Sequence, residues 1–93
     1  MSAEARKSKG GLFMKYVYLL KSLKFHNQKY IGITSDVDKR LKEHNQGKCY
    51  HTSKYLPWRL INYTYFSDSK KAIQFEKYLK SGSGRAFSNR HFW

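Results

Sequence analysis

Residues 16–34, YVYLLKSLKFHNQKYIGIT, decide the fold. Tyr16-Val17-Tyr18-Leu19-Leu20 is a short aromatic and β-branched run, the composition of a strand. Tyr30-Ile31-Gly32-Ile33-Thr34 is a second, and the polar FHNQK segment between them suits a hairpin turn. Strand side chains alternate between faces, so Tyr16, Tyr18 and Leu20 share one face and Val17 and Leu19 the other. In the second strand Tyr30, Gly32 and Thr34 lie together, opposite Ile31 and Ile33. Antiparallel pairing then brings tyrosine hydroxyls beside Gly32. A strand glycine weakens the strand and often marks close approach by a ligand or another backbone. An ordinary half-buried hairpin with tyrosines at its edge reads the same way from these residues alone.

Outward from the hairpin, Ser35-Asp36 predicts an N-cap, Val37 and Leu41 form an i, i+4 apolar pair, and Gly47 marks the helix end. Arg40 and His44 are also four apart and so share a helix face, a pattern that by itself describes a solvated surface. Residues 48–58 read as irregular. Arg59–Phe66 predicts a third strand, at 59–66. Ser67-Asp68-Ser69 caps a helix over about 69–80, followed by a Ser81-Gly82-Ser83-Gly84 loop and a short basic helix or turn, Arg85–His91. The helix stripe Ala72, Phe75, Leu79 has i, i+3, i+7 spacing, and Glu76 falls on it. A carboxylate there costs several kcal/mol unless paired or metal-bound. Two readings stand: a metal ligand, or an edge residue paired with a lysine.

Ninety-three residues predict one domain, at 14–93. Residues 1–13, basic and carrying Gly10-Gly11, predict a flexible arm or leader. The chain has 19 Lys+Arg against 6 Asp+Glu, a formal net charge of +13. That field favours a polyanion. The bases are spread through the chain rather than gathered on one amphipathic helix, which argues against a membrane-surface binder. No apolar run approaches a membrane span and no signal-peptide core is visible, so a cytoplasmic setting is expected. One cysteine, Cys49, makes no internal disulfide. Cys49-x-His51 near His44 fits no standard zinc spacing, and His26 and His91 read as solvent-facing.

The strand tyrosines, Arg40, His44 and Glu76 together resemble the GIY-YIG nuclease family. Tyr16-Val17-Tyr18 stands where the first half of that signature belongs, and Tyr30-Ile31-Gly32 keeps the second. The likeness continues through Arg40-Leu41, His44-Asn45, Gly47, Thr52, Pro57-Trp58, Ala72, Glu76, Leu79-Lys80-Ser81 and Gly84-Arg85, over about residues 15–88. It is similar to small single-domain bacterial proteins that resemble the N-terminal nuclease module of the bacterial excinuclease. The resemblance implies an α+β fold, a small three-stranded antiparallel sheet flanked by helices. It implies a metal-dependent DNA endonuclease, structure-selective rather than sequence-specific, in a bacterial cytoplasm. A basic nucleic-acid-binding module that acts with a partner is the alternative. By resemblance Tyr18, Tyr30, Arg40, His44 and Glu76 are catalytic, with Glu76 holding one Mg²⁺ or Mn²⁺. Tyr18 is expected to be the general base, ionised with help from Arg40 and the metal. Gly32, Lys48, Lys54, Lys80 and Arg85 are expected to meet DNA. Two departures stand out. Ile33 occupies a position where some repair members carry lysine, and Tyr16-Val17 replaces Gly-Ile before Tyr18.

Overall fold

The computed structural model describes residues 15–93, so the arm expected at 1–13 lies outside the described residues. The elements are β1 (Lys15–Ser22), β2 (Lys29–Thr34), α1 (Val37–Asn45), β3 (Trp58–Phe66), α2 (Ser69–Leu79) and α3 (Gly82–His91). The strands form one antiparallel sheet in the order β2-β1-β3. This is the expected α+β architecture. None of the described helices is long and apolar enough to cross a membrane.

β1 is central, and Val17, Tyr18, Leu19 and Leu20 are all buried. Alternation sorts them into two cores. Val17 and Leu19 pack with Ile31, Ile33, Ala72, Phe75 and Leu79 beneath α2. Tyr18 and Leu20 pack with Tyr30, Leu41, Tyr55 and Trp58 on the opposite face, beneath α1 and the segment before β3. β1 pairs with β2 so that Tyr18 stands opposite Gly32 and Leu20 opposite Tyr30. The hairpin turn is closed by Ser22, whose Oγ accepts from the Phe25 amide (3.0 Å) and donates to the Tyr55 carbonyl (2.8 Å).

Helix α1 starts where Asp36 Oδ1 accepts from the Lys39 amide at 3.0 Å, a capping bond that satisfies a free N-terminal donor. Just beyond it Gly47 has φ +77°, the left-handed reversal glycine makes without a Cβ penalty. Asp68 caps α2 through the Lys70 amide. The stretch 81–84 is not the loop its Ser-Gly composition predicts. Ser81 is the N-cap of α3, its Oγ accepting from the Gly84 amide at 3.2 Å. A Cβ on Gly84 would fall 1.7 Å from the Tyr78 carbonyl oxygen. The glycine is there because α3 crosses α2 at backbone contact.

The segment between α1 and β3 is irregular apart from one 3-10 turn, Ser53–Tyr55. Asn45 grips it through the backbone of a single residue. Its Oδ1 accepts from the Trp58 amide (2.7 Å) and its Nδ2 donates to the Trp58 carbonyl (3.1 Å). The Trp58 indole Nε1 in turn donates to the Thr52 carbonyl at 2.8 Å. These bonds set Thr52 against α1.

Candidate active site

Three elements converge on the α1 face of the sheet. β1 brings Tyr18, β2 brings Tyr30, and α1 brings Arg40 and His44 one turn apart. The Tyr18 hydroxyl lies 2.8 Å from His44 Nε2, and Arg40 Nε donates to the same hydroxyl at 3.4 Å. The Tyr30 ring stands edge-on to His44, centroids 4.9 Å apart, and 6.1 Å from the Tyr18 ring. Gly32 permits this clustering. A Cβ there would sit 2.5 Å from the Tyr18 hydroxyl and 2.8 Å from Tyr30 Cε2. What approaches the missing side chain is thus the chain's own tyrosine pair.

His44 is not on a solvated face; its side chain is 0% exposed. Its second nitrogen, Nδ1, lies 2.7 Å from Thr52 Oγ1, and that hydroxyl is 3.4 Å from the Cys49 carbonyl. A carbonyl only accepts. The arrangement that satisfies every partner therefore runs in one direction. The Thr52 hydroxyl donates to Cys49, Nδ1–H donates to Thr52, and bare Nε2 accepts from the Tyr18 hydroxyl. Arg40 then donates to the Tyr18 oxygen. Thr52 is the residue to which sequence reasoning assigned no role. It appears in the family resemblance, but nothing local shows that it faces His44.

The electrostatics follow from this burial. The Tyr18 phenol is pushed up to about 12, first by desolvation and against the opposing hydrogen bond from Arg40. Arg40 alone does not ionise Tyr18, because burial outweighs the single guanidinium; the expected ionisation called on Arg40 together with a metal. His44 is held below its ordinary value by burial and then by Arg40, so the ring stays neutral. Arg40 is raised by its bonds to Tyr18 and to Glu43, whose Oε1 accepts from Nη1 at 3.0 Å. Glu43 is lowered by that bond to Arg40.

Glu76 comes from a fourth element, α2. Its side chain is 17% exposed. Its described partner is Lys80 Nζ, one turn later, the edge pairing that was the alternative reading. Lys80 reaches the β2 edge, where with Tyr30 and Arg85 it lines a cleft of about 430 Å³. Tyr30 thus belongs both to the buried cluster and to the cleft wall. Among the expected DNA contacts, Lys80 and Arg85 fall at this cleft. Lys48 and Lys54 are carried on the segment after α1, with Lys54 Nζ 4.9 Å from the Tyr50 ring centroid.

Comparison with known proteins bears on the same residues. The family model described as the GIY-YIG catalytic domain matches residues 14–90. A structure-specific endonuclease subunit SLX1 from Debaryomyces hansenii is 39% identical over 71 residues, which cover 69% of this chain and 20% of that protein. A UPF0213 protein from Clostridium perfringens is 34% identical over 68 residues, 72% of this chain and 71% of that one. The solution structure of a UPF0213 protein from Bacillus halodurans matches with a TM-score of 0.47 and 32% identity, covering 78% of this chain and 79% of that one. This chain spans about a fifth of the length of the SLX1 proteins. With nearly the whole sheet-and-helix unit inside the family-model match, the chain belongs to the GIY-YIG catalytic domain family.

Proposed function

We propose that this protein is a metal-dependent DNA endonuclease, selective for the shape of its substrate rather than its sequence. The observation that carries the reading is the line from part-exposed Arg40 through buried Tyr18 and His44 to Thr52. The line sets a phenol proton against a bare imidazole nitrogen beside a guanidinium with further donors, the parts that proton transfer at a phosphate requires. The strong positive balance of the chain supplies the affinity for phosphate. The SLX1 relative, named a structure-specific endonuclease, supports shape selectivity.

Phosphodiester hydrolysis needs a proton acceptor for the attacking water and relief for charge growing on the phosphate. In this reading the Tyr18 oxygen takes the water's proton while its own passes to His44 Nε2. Thr52 keeps that nitrogen bare by engaging Nδ1. Arg40 uses two of its five N–H donors on Tyr18 and Glu43, and the others are free to meet phosphate oxygens. Tyr30 walls the site and excludes water from His44.

Among the described residues no three carboxylates, histidines or cysteines cluster to cage a metal. A single carboxylate suits a hard ion that keeps its waters and shares the substrate's phosphate, as Mg²⁺ does. Glu76 is the residue that would hold it, releasing Lys80 to the substrate. When bound, such an ion supplies charge stabilisation at the scissile phosphate and leaving oxygen.

The direct test is incubation with Mg²⁺ and nicked, flapped, branched and plain duplex DNA. Cleavage of the interrupted or branched forms is expected, and failure to cut any of them at high enzyme would refute the reading. Glu76→Gln should abolish cleavage and leave DNA affinity within about twofold, since it changes one charge in a strongly basic protein. The second reading, a nucleic-acid-binding module acting with a partner, draws support from the relative being named a subunit. It predicts that binding persists while the isolated protein cuts nothing.

A further inference from the structure

The cleft at the β2 edge carries an aromatic wall that the proposed hydrolysis does not use. Its volume, about 430 Å³, is that of a small-molecule site. One wall is the Trp93 indole, with Lys29 Nζ 5.1 Å from its centroid. Lys80 and Arg85 bring further positive charge, Asn89 an amide, and Tyr30 joins the cleft to the buried tyrosine–histidine cluster.

A lone inorganic phosphate would meet the cations and leave the indole unused. An apolar ligand would cover the indole and strip water from the cations without compensation. A nucleotide satisfies both, because a base stacks on an aromatic ring while its phosphate meets Lys or Arg. We propose that this cleft receives one unstacked nucleotide of the DNA substrate, its base against Trp93 and its phosphate toward Arg85 and Lys29. The inference rests on the endonuclease reading and deepens it. Unpaired nucleotides are what flaps and branch points offer and plain duplex lacks, so the cleft gives a physical basis for shape selectivity.

The test is binding without divalent metal, read by fluorescence anisotropy. A labelled thymidine oligonucleotide is compared with one of equal length and charge built from abasic sites. The native protein should hold the base-bearing strand about 30-fold tighter, the mid-range of one base–aromatic stack. Trp93→Ala should remove most of that preference, and Trp93→Phe should keep it. Should circular dichroism show Trp93→Ala unfolded, Trp93→Leu fills the same wall without a stacking face. Arg85→Ala should weaken both strands alike. Equal affinity for the two strands, or a preference that survives loss of the ring, overturns the proposal. Loss of base preference with cleavage intact removes the subsite alone. Base preference without any cleavage removes the nuclease reading alone.

Discussion

Thr52→Val isolates the direction of the proton line without touching any group that would meet DNA. Thr52 is 2% exposed and His44 0%, so water does not replace the missing hydroxyl. Nδ1–H of His44 loses its 2.7 Å acceptor, and leaving a buried donor unpaired costs about 1–3 kcal/mol. The ring can relieve that cost by moving its proton to Nε2, which removes the acceptor facing Tyr18. Holding the productive tautomer therefore carries the same penalty into the transition state, a slowing of about 5- to 150-fold. The assay is single-turnover cleavage of a branched duplex at saturating protein, alongside DNA affinity by anisotropy and a thermal melt. Affinity should stay within about twofold, while the melting temperature falls by roughly 4–8 °C for each kcal/mol lost. Thr52→Ser restores the hydroxyl and should recover most of the rate. A Thr52→Val protein that is destabilised but cuts at the native rate would refute the relay, and so would a serine variant as slow as valine.

Gly32→Ala places a methyl 2.5 Å from the Tyr18 hydroxyl. The rings must shift, at about 1–3 kcal/mol of overpacking, and cleavage should fall with the melting temperature. A fully active, equally stable alanine variant would show that the tyrosine pair is not held in register by the glycine. For pH, the unfolded chain protonates His44 near its ordinary value of about 6.5 while the native ring resists. The unfolded state then binds more protons, so this contribution is full above about pH 6.5 and fades as pH falls below it. Cleavage should persist into that range and fall only at lower pH, where the native ring itself takes a proton and accepts nothing from Tyr18. Native protein should lose melting temperature more steeply on acidification than His44→Gln, and equal slopes would contradict a buried neutral imidazole. Gly84→Ala puts a methyl 1.7 Å from the Tyr78 carbonyl oxygen, against backbone that cannot rotate away, and should separate α3 from α2 or prevent folding. A melt close to native would disprove that close crossing.

The hairpin was readable because its information is local. Two β-rich runs, a polar turn and a glycine opposite Tyr18 settle the register almost unaided, and Asp36 and Gly47 bracket α1 by capping chemistry. His44 was not readable in the same way. On a helix with two buried residues, Val37 and His44, an Arg-His pair looks like solvated surface. Its burial comes from Thr52 eight residues later, in a segment whose course is fixed by Asn45 clamping Trp58. The Gly82-Ser83-Gly84 stretch misleads for a related reason. Its composition signals a loop, yet Gly84 answers to a non-local contact with the end of α2. Glu76 shows both sides. Its place on the apolar stripe of α2 was legible, and so was a lysine four residues on, which is the partner it takes.

The height of the Tyr18 pKa selects between two ways of removing a proton from water. A phenol that burial pushes up to about 12 is neutral at pH 7 with Arg40 as its one neighbouring cation, so prior ionisation works against desolvation. A neutral phenol 2.8 Å from a bare imidazole nitrogen avoids the separate step, since it accepts one proton as it gives up another. The burial that makes Tyr18 a poor anion also keeps His44 uncharged and able to accept. In the proposed relay, desolvation favours neutral partners over a tyrosinate, and Arg40, donating to the Tyr18 oxygen, would stabilise charge developing there as the proton leaves.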